Sequence, residues 1–221
     1  MSTSANTICL ALETAVGSGS VAVIRDGLVV AESDSADMHP ARAEQLLTVL
    51  RDVLDKGGIR LDEISLVAVS VGPGSYSGIR IGVSTSIGLK NALSIDCRGV
   101  SLLEAIAAGA VGTPGSEIVV AVPVGKNDIA WQRFDTSAAV PRELEKPALV
   151  SFMDFKAAVQ NMDRSTIRFP RDILERLGYA DDGSTAADDT TTLAALVGKV
   201  AIDRPGEGDL RPIYLRSGPG F

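Results

Sequence analysis

The sequence predicts an α/β protein of two lobes, the second a shortened copy of the first. In the first half, strand-like and helix-like runs follow the order three strands, helix, strand, helix, strand, helix, which suits a sheet covered by helices. Glycine, proline and serine then cluster at residues 112–116 and break the chain. Beyond the break, "EIVVAVPV" and "DIAWQRFD" restart the pattern with a new pair of strands. The predicted division is a first lobe over 1–111, a reduced second lobe over 112–188, and a segment 189–221 that rejoins the first.

The elements follow from local chemistry. "TICLALET" (7–14) and "SGSVAVIRDG" (18–27) are apolar strands joined through Gly17, Ser18 and Gly19, and Asp26-Gly27 is a hairpin turn leading into "LVVAESD". Ala43, Leu46, Leu47, Leu50, Val53 and Leu54 recur at helical spacing over 40–56, with Pro40 in the first turn and Gly57 at the stop. "ISLVAVSV" is apolar nearly throughout, as strands buried on both faces are. "SIDCRGV" holds a short strand, and Ser101 with Glu104 predicts a capping box for "LLEAIAAGA". In the second half, "MDFKAAVQNM" and "RDILERLG" read as short helices, "DDGSTAADD" as a polar loop and "TLAALVGKVA" as a last helix, while Trp131 fits the alternation of a half-buried strand. Two such lobes facing each other form an actin-like or Hsp70-like arrangement with a cleft between them.

Composition narrows the function. The chain has 221 residues, 45% hydrophobic and 22% charged, with a formal net charge of −7. That charge argues against a free-standing nucleic-acid binder, which needs a basic face. No signal peptide and no membrane span are expected, because the long uncharged stretch 64–79 is interrupted by Gly72-Pro73-Gly74. Cys9 and Cys97 form no CxxC pair, so neither a disulfide framework nor a zinc site is suggested. The reading is a cytoplasmic protein with reduced thiols.

Catalytic patterns are missing. His39 is the single histidine, so two-histidine metal sites are excluded within the chain. No nucleophile elbow surrounds Ser18, Ser20, Ser75 or Ser77, and neither Lys90 nor Gly125-Lys126 has the spacing of a phosphate loop. The connection Gly17–Ser20, with Glu13 and Thr14 at the end of the first strand, has two readings: backbone amides that hold a nucleotide phosphate, with Glu13 near a metal, or a tight hairpin. Gly17 and Gly19 belong to both.

"VGPGSYSGIRIGVSTSIGLK" (71–90) raises a different question. Gly78, Gly82 and Ser86 recur every fourth residue beside Ile79, Val83 and Ile87, although glycine within a helix costs about 1 kcal/mol relative to alanine. Small residues at that spacing let another helix come close. The neighbour is either the chain's own sheet and the 40–56 helix or a partner's helix, and the partner reading is preferred.

This string is similar to the signature of the TsaB (YeaZ) family, close to GPGS-aromatic-T/S-G-hydrophobic-R-I-G. The resemblance extends to "ALETAVGSGSVAV", to His39 with Glu44, Gln45, Leu46 and Leu47, to "GVSLLEAIA" and to the tail "RPIYLR". It implies the ASKHA, ribonuclease H-like fold with a degenerate second lobe and no catalytic metal site. It also implies a non-catalytic role: pairing with a TsaD-type catalytic subunit that holds the metal, and working with a TsaE-type ATPase. Together they place threonylcarbamoyl, donated by threonylcarbamoyl-AMP, on the adenosine beside the anticodon of tRNAs that read codons beginning with A. On this resemblance the chain alone binds no cofactor, ATP or ADP and a metal belong to the partner subunits, and tRNA is reached only through the complex. The expected interface, shared with a homodimer when the chain is alone, comprises Leu46, Leu47, Leu50, Leu54, Tyr76, Gly78, Ile79, Gly82, Val83, Ser86 and Ile87.

Two departures bear on nucleotide binding. Leu12, Glu13, Thr14 and Ala15 stand where the family has an I-D-T-S-like strand end, and Val122 to Asn127 replace a D-A-R-x-x-E-like strand. The nucleotide reading of Glu13, Thr14, Gly17 and Gly19 is therefore a vestigial one. Two other classes remain open: a peptidase M22-like hydrolase and a homodimeric interaction scaffold.

Overall fold

The computed structural model describes residues 7–33, 43–111, 117–163, 166–169, 191–204, 206 and 208–216. The first sheet contains β1 (Ile8–Glu13), β2 (Ser20–Arg25), β3 (Leu28–Ser33), β4 (Leu66–Ser70) and β5 (Asp96–Val100), in the order β3-β2-β1-β4-β5. β2 pairs antiparallel with β1 and β3, while β4 pairs parallel with β1 and β5. The Asp26-Gly27 hairpin forms as the sequence predicts: both residues have positive φ, 51° and 82°, the turn whose twist matches that of its strands. Every residue of β1 and β4 is buried, because helices cover both faces of the sheet.

The helices with positions described are α1 (Ala43–Gly57), α2 (Tyr76–Leu93), α3 (Leu102–Gly109), α4 (Phe152–Val159) and α5 (Leu193–Asp203). Register assigns their faces. Leu10 lies opposite Val23 and Val23 opposite Ala31, which touches α1 at Gly57; Leu12 lies opposite Val69, which touches α2 at Gly82. Strand neighbours two apart share a side, so α1 and α2 cover one face. Ala11 and Ile24 meet Gly198 of α5 on the other face.

The second sheet contains β6 (Glu117–Val124), β7 (Asp128–Asp135), β8 (Arg142–Glu143), β9 (Ala148–Ser151) and β10 (Ile167–Arg168). Its order is β10-β6-β7-β8, with β9 also on β7. β6 and β7 are antiparallel and β10 runs parallel to β6, repeating how β2, β1 and β4 are joined. The α/β class and the reduced second lobe are thus seen directly. β8, β9 and β10 escaped the sequence reading, since runs of two to four residues carry no periodicity.

Alternation along β6 separates two cores. Ile118, Val120 and Val122 join the large core of the first sheet, while Val119 and Ala121 face Trp131, Phe155 and Phe169. Phe155 centres that small core, with ring centroids 6.1 Å from Trp131 and 5.7 Å from Phe169. Trp131 is buried rather than half-buried.

Helix ends carry two corrections. The left-handed residue after α1 is Gly58 (φ +61°), not Gly57; Ile59 N donates to Leu54 O at 3.0 Å to close the end. Ser101 occupies the N-cap of α3 but makes no side-chain cap bond, and Glu104 instead pairs with Arg204 just beyond α5. The start of α5 is held from several sides: Thr192 Oγ1 accepts from Ala195 N, Ser20 Oγ accepts from Ala194 N, and Glu32 Oε2 accepts from Thr192 N at 3.0 Å. His39, Pro40, the break at 112–116, the helix expected at 171–178 and the loop at 181–189 lie outside the described residues. No described helix is long and apolar enough to cross a membrane.

Both thiols lie inside, Cys9 in β1 and Cys97 in β5. Burial pushes their pKa values from 9.0 up to about 12 and about 11. The folded state therefore holds protons that the unfolded chain releases above pH 9, so the thiols' contribution to stability is constant below that value and falls as pH rises beyond it. Neither cysteine should react with iodoacetamide in the folded protein near pH 8, and both should react in denaturing urea. Mass spectrometry of the alkylated protein checks this, and rapid native labelling would contradict the packing.

Candidate functional site

The end of β1 is fastened to the beginning of α2. Glu13 is fully buried, and its Oε1 accepts from Ala15 N at 2.5 Å and Val16 N at 3.1 Å. Thr14 Oγ1 donates to Gly78 O at 2.7 Å, and Ser75 N donates to Ala15 O at 2.7 Å. Gly17 and Gly19 have φ of +59° and +87°, and Gly19 N closes the turn onto Val16 O. These bonds suit a tight hairpin: Glu13 holds the Ala15 and Val16 amides that lead into it, and Gly19 N is spent on Val16 O. Among the described residues no group of three or more His, Cys, Asp or Glu could hold a metal.

The same fastening explains the glycines of α2 and corrects the partner reading for most of them. A Cβ at Gly78 would collide with the Thr14 carbonyl, one at Gly82 with Thr14 Oγ1, and one at Gly74 with Ala15. The small-residue row therefore faces inward. Ile79 and Ser86 are fully buried with it, and Val83, Leu46, Leu50 and Leu54 are also core residues. Of the expected interface residues, Leu47 (56% exposed), Tyr76 (55%) and Ile87 (40%) reach the surface.

The outward side of α2 differs from that of α1. Exposed α1 residues include Arg51, Asp52, Asp55 and Lys56, whereas α2 exposes Ser84, Ile87 and Gly88 between Arg80 and Lys90, the two charges of the helix, and Asn91 and Ala92 just beyond them. Ser75 is its N-cap, with Oγ accepting from Gly78 N at 3.3 Å and lying 3.3 Å from Ser77 Oγ. Its hydroxyl is engaged in capping rather than activated for attack.

A cleft of about 690 Å³ opens beside this helix start. Ser75, Tyr76 and Ser77 form one wall, Val124 and Gly125 of the β6–β7 turn another, and the tail residues Ile213 to Arg216 a third. The tail is anchored by Ile213 N donating to Val71 O at 2.8 Å. Tyr214 stacks near Tyr76 with centroids 4.8 Å apart, and Arg80 lies 3.9 Å over the Tyr76 ring while its Nε donates to Tyr214 Oη at 3.3 Å. This aromatic-guanidinium cluster went unseen in the sequence because 134 residues separate Arg80 from Tyr214. The resemblance of "RPIYLR" to a family tail was its one trace.

Gly78→Ala should destabilise the protein by about 1–3 kcal/mol, the usual range for overpacking, because the new methyl meets backbone. Gly88→Ala should stabilise it by about 0.5–1 kcal/mol, since nothing lies within 4 Å of the added carbon. Urea denaturation of both variants checks the pair; equal midpoints would show that α2 does not seat on Thr14.

A family model described as "TsaD: tRNA N6-adenosine threonylcarbamoyltransferase" matches residues 36–204. The tRNA threonylcarbamoyladenosine biosynthesis protein TsaB of Escherichia coli (strain K12) is 30% identical over 126 residues, covering 57% of this chain and 54% of that protein. TsaB of Buchnera aphidicola subsp. Schizaphis graminum is 29% identical over 128 residues, covering 58% and 60%. The matches thus span little more than half the length of these relatives. The solved structure of YeaZ from Pseudomonas aeruginosa superposes with a TM-score of 0.68 over 95% of this chain and all of that one, at 22% identity, and shares the fold. The family model spans more than half of the chain and establishes that it belongs to the family described as "TsaD: tRNA N6-adenosine threonylcarbamoyltransferase", with TsaB proteins among its relatives.

Proposed function

We propose that this chain is a non-catalytic subunit of tRNA threonylcarbamoyladenosine biosynthesis that pairs with a TsaD-type catalytic subunit in the cytoplasm. The names of its relatives support the pathway. The observation that carries the subunit role is the outward side of α2: eighteen residues with two charges, both basic, and small side chains around an exposed Ile87. A helix that meets only water carries a charged face; this one suits a protein neighbour. Leu47 of α1, on the same face of the sheet, extends the surface.

The reading assigns transfer chemistry, nucleotide and metal to the partner subunits, a TsaE-type ATPase among them, and contact with tRNA to the assembled complex. It accords with a Glu13 carboxylate turned onto its own loop. A peptidase M22-like hydrolase finds less support, because Ser75 is a helix cap and His39 is the single histidine of the chain. A homodimer would use the same α1–α2 surface and give way when the catalytic subunit is added.

Size-exclusion chromatography with light scattering, on the protein alone and mixed with the TsaD-type subunit of the same cell, tests this. A one-to-one heterodimer is expected, and persistent separation of the two proteins overturns the proposal. Leu47→Asp and Ile87→Asp replace exposed side chains, so their stability should change by no more than about 0.5 kcal/mol. Their pairing should weaken about tenfold or more. Folded variants that pair normally would place the interface elsewhere.

A further inference from the structure

The chain is acidic, with 28 Asp and Glu against 21 Lys and Arg, yet no carboxylate occurs between Ile64 and Ile95. α2 lies wholly within that stretch and places Arg80 on the exposed side. The guanidinium is held in position without being neutralised: it stacks on Tyr76 and donates to the Tyr214 hydroxyl, and no carboxylate pairs with it among the described residues. A cation fixed by two aromatic side chains loses little rotamer freedom when it binds, and tyrosine and arginine are the residues that concentrate binding energy at interfaces.

We propose, building on the pairing above, that Arg80 is the selectivity element of this face. It takes a carboxylate from an acid-bearing helix of a different protein and disfavours α2 packing on α2 of a second copy. Self-packing of α2 would bring together helices that each carry Arg80 and Lys90 and no acid, and like charges in contact are unfavourable. α1 carries Glu44, Asp52 and Asp55 against Arg51 and Lys56, a surplus of a single acid, so a second copy offers Arg80 little negative charge there. An RNA backbone is a poorer fit, since Arg80 and Lys90 lie about 15 Å apart along the helix, too sparse for a duplex with a charge every ~1.7 Å.

The test measures affinity for the TsaD-type subunit by calorimetry at low and high salt, using the full-length chain and its Arg80→Glu and Arg80→Gln variants, with circular dichroism to confirm folding. Arg80→Glu should weaken pairing about tenfold or more and Arg80→Gln by less; the salt dependence of the unaltered protein should flatten in Arg80→Gln. Normal pairing by folded Arg80→Glu overturns this inference and leaves the subunit role standing. Failure of the unaltered chain to pair overturns both. A variant that keeps the protein partner while its complex loses tRNA would assign Arg80 to phosphate, and this too overturns the inference.

Discussion

The interlock between Thr14 and α2 fixes the rest of the first lobe. Thr14 donates to the carbonyl of Gly78, and the glycines at 74, 78 and 82 leave room for the strand end to approach the helix at van der Waals distance. Because α2 seats this low on the sheet, Ser86 and Ile79 are drawn into the core while Tyr76, Arg80 and Ile87 remain outside. One steric requirement thus determines which side of α2 is structural and which is available for contact. It also brings the start of the helix to the mouth of the cleft.

The second lobe shows how little of the repeated pattern is needed to bury a sheet. Its long strands, β6 and β7, feed the large core with one set of alternate residues and a small aromatic core with the other. Phe155 of α4 packs edge-on against Phe169, an arrangement in which few residues supply much buried area. The lobe is therefore tied to the first through its own strands, while the outer aromatic group holds α4 in place.

Sequence alone carried the fold far. Long apolar runs such as 66–70 and strong heptad-like spacing in α1 survive any context, and the turn at Asp26-Gly27 is dictated by backbone sterics. What it obscured was direction. The repeat at Gly78, Gly82 and Ser86 announces close approach, but periodicity does not say whether the approaching group is a neighbouring helix or, as here, the end of a strand 64 residues earlier. Glu104 illustrates the same limit: a capping box with Ser101, three positions earlier, was plausible locally, yet an arginine 100 residues away claims the carboxylate. The cleft and the Tyr76–Arg80–Tyr214 cluster arise from three distant segments and left almost no local mark.

The position of α5 has a consequence for how the chain is made. This helix covers the Ala11 and Ile24 face of the first sheet, with its first turn bonded to Ser20, a residue 174 positions earlier. During synthesis the first sheet emerges with that face bare, and it stays bare while the whole second lobe is translated, because the covering helix comes last. Closing so long a loop is slow relative to local pairing. The nascent first sheet is therefore a half-finished sandwich until α5 has been synthesised and docked.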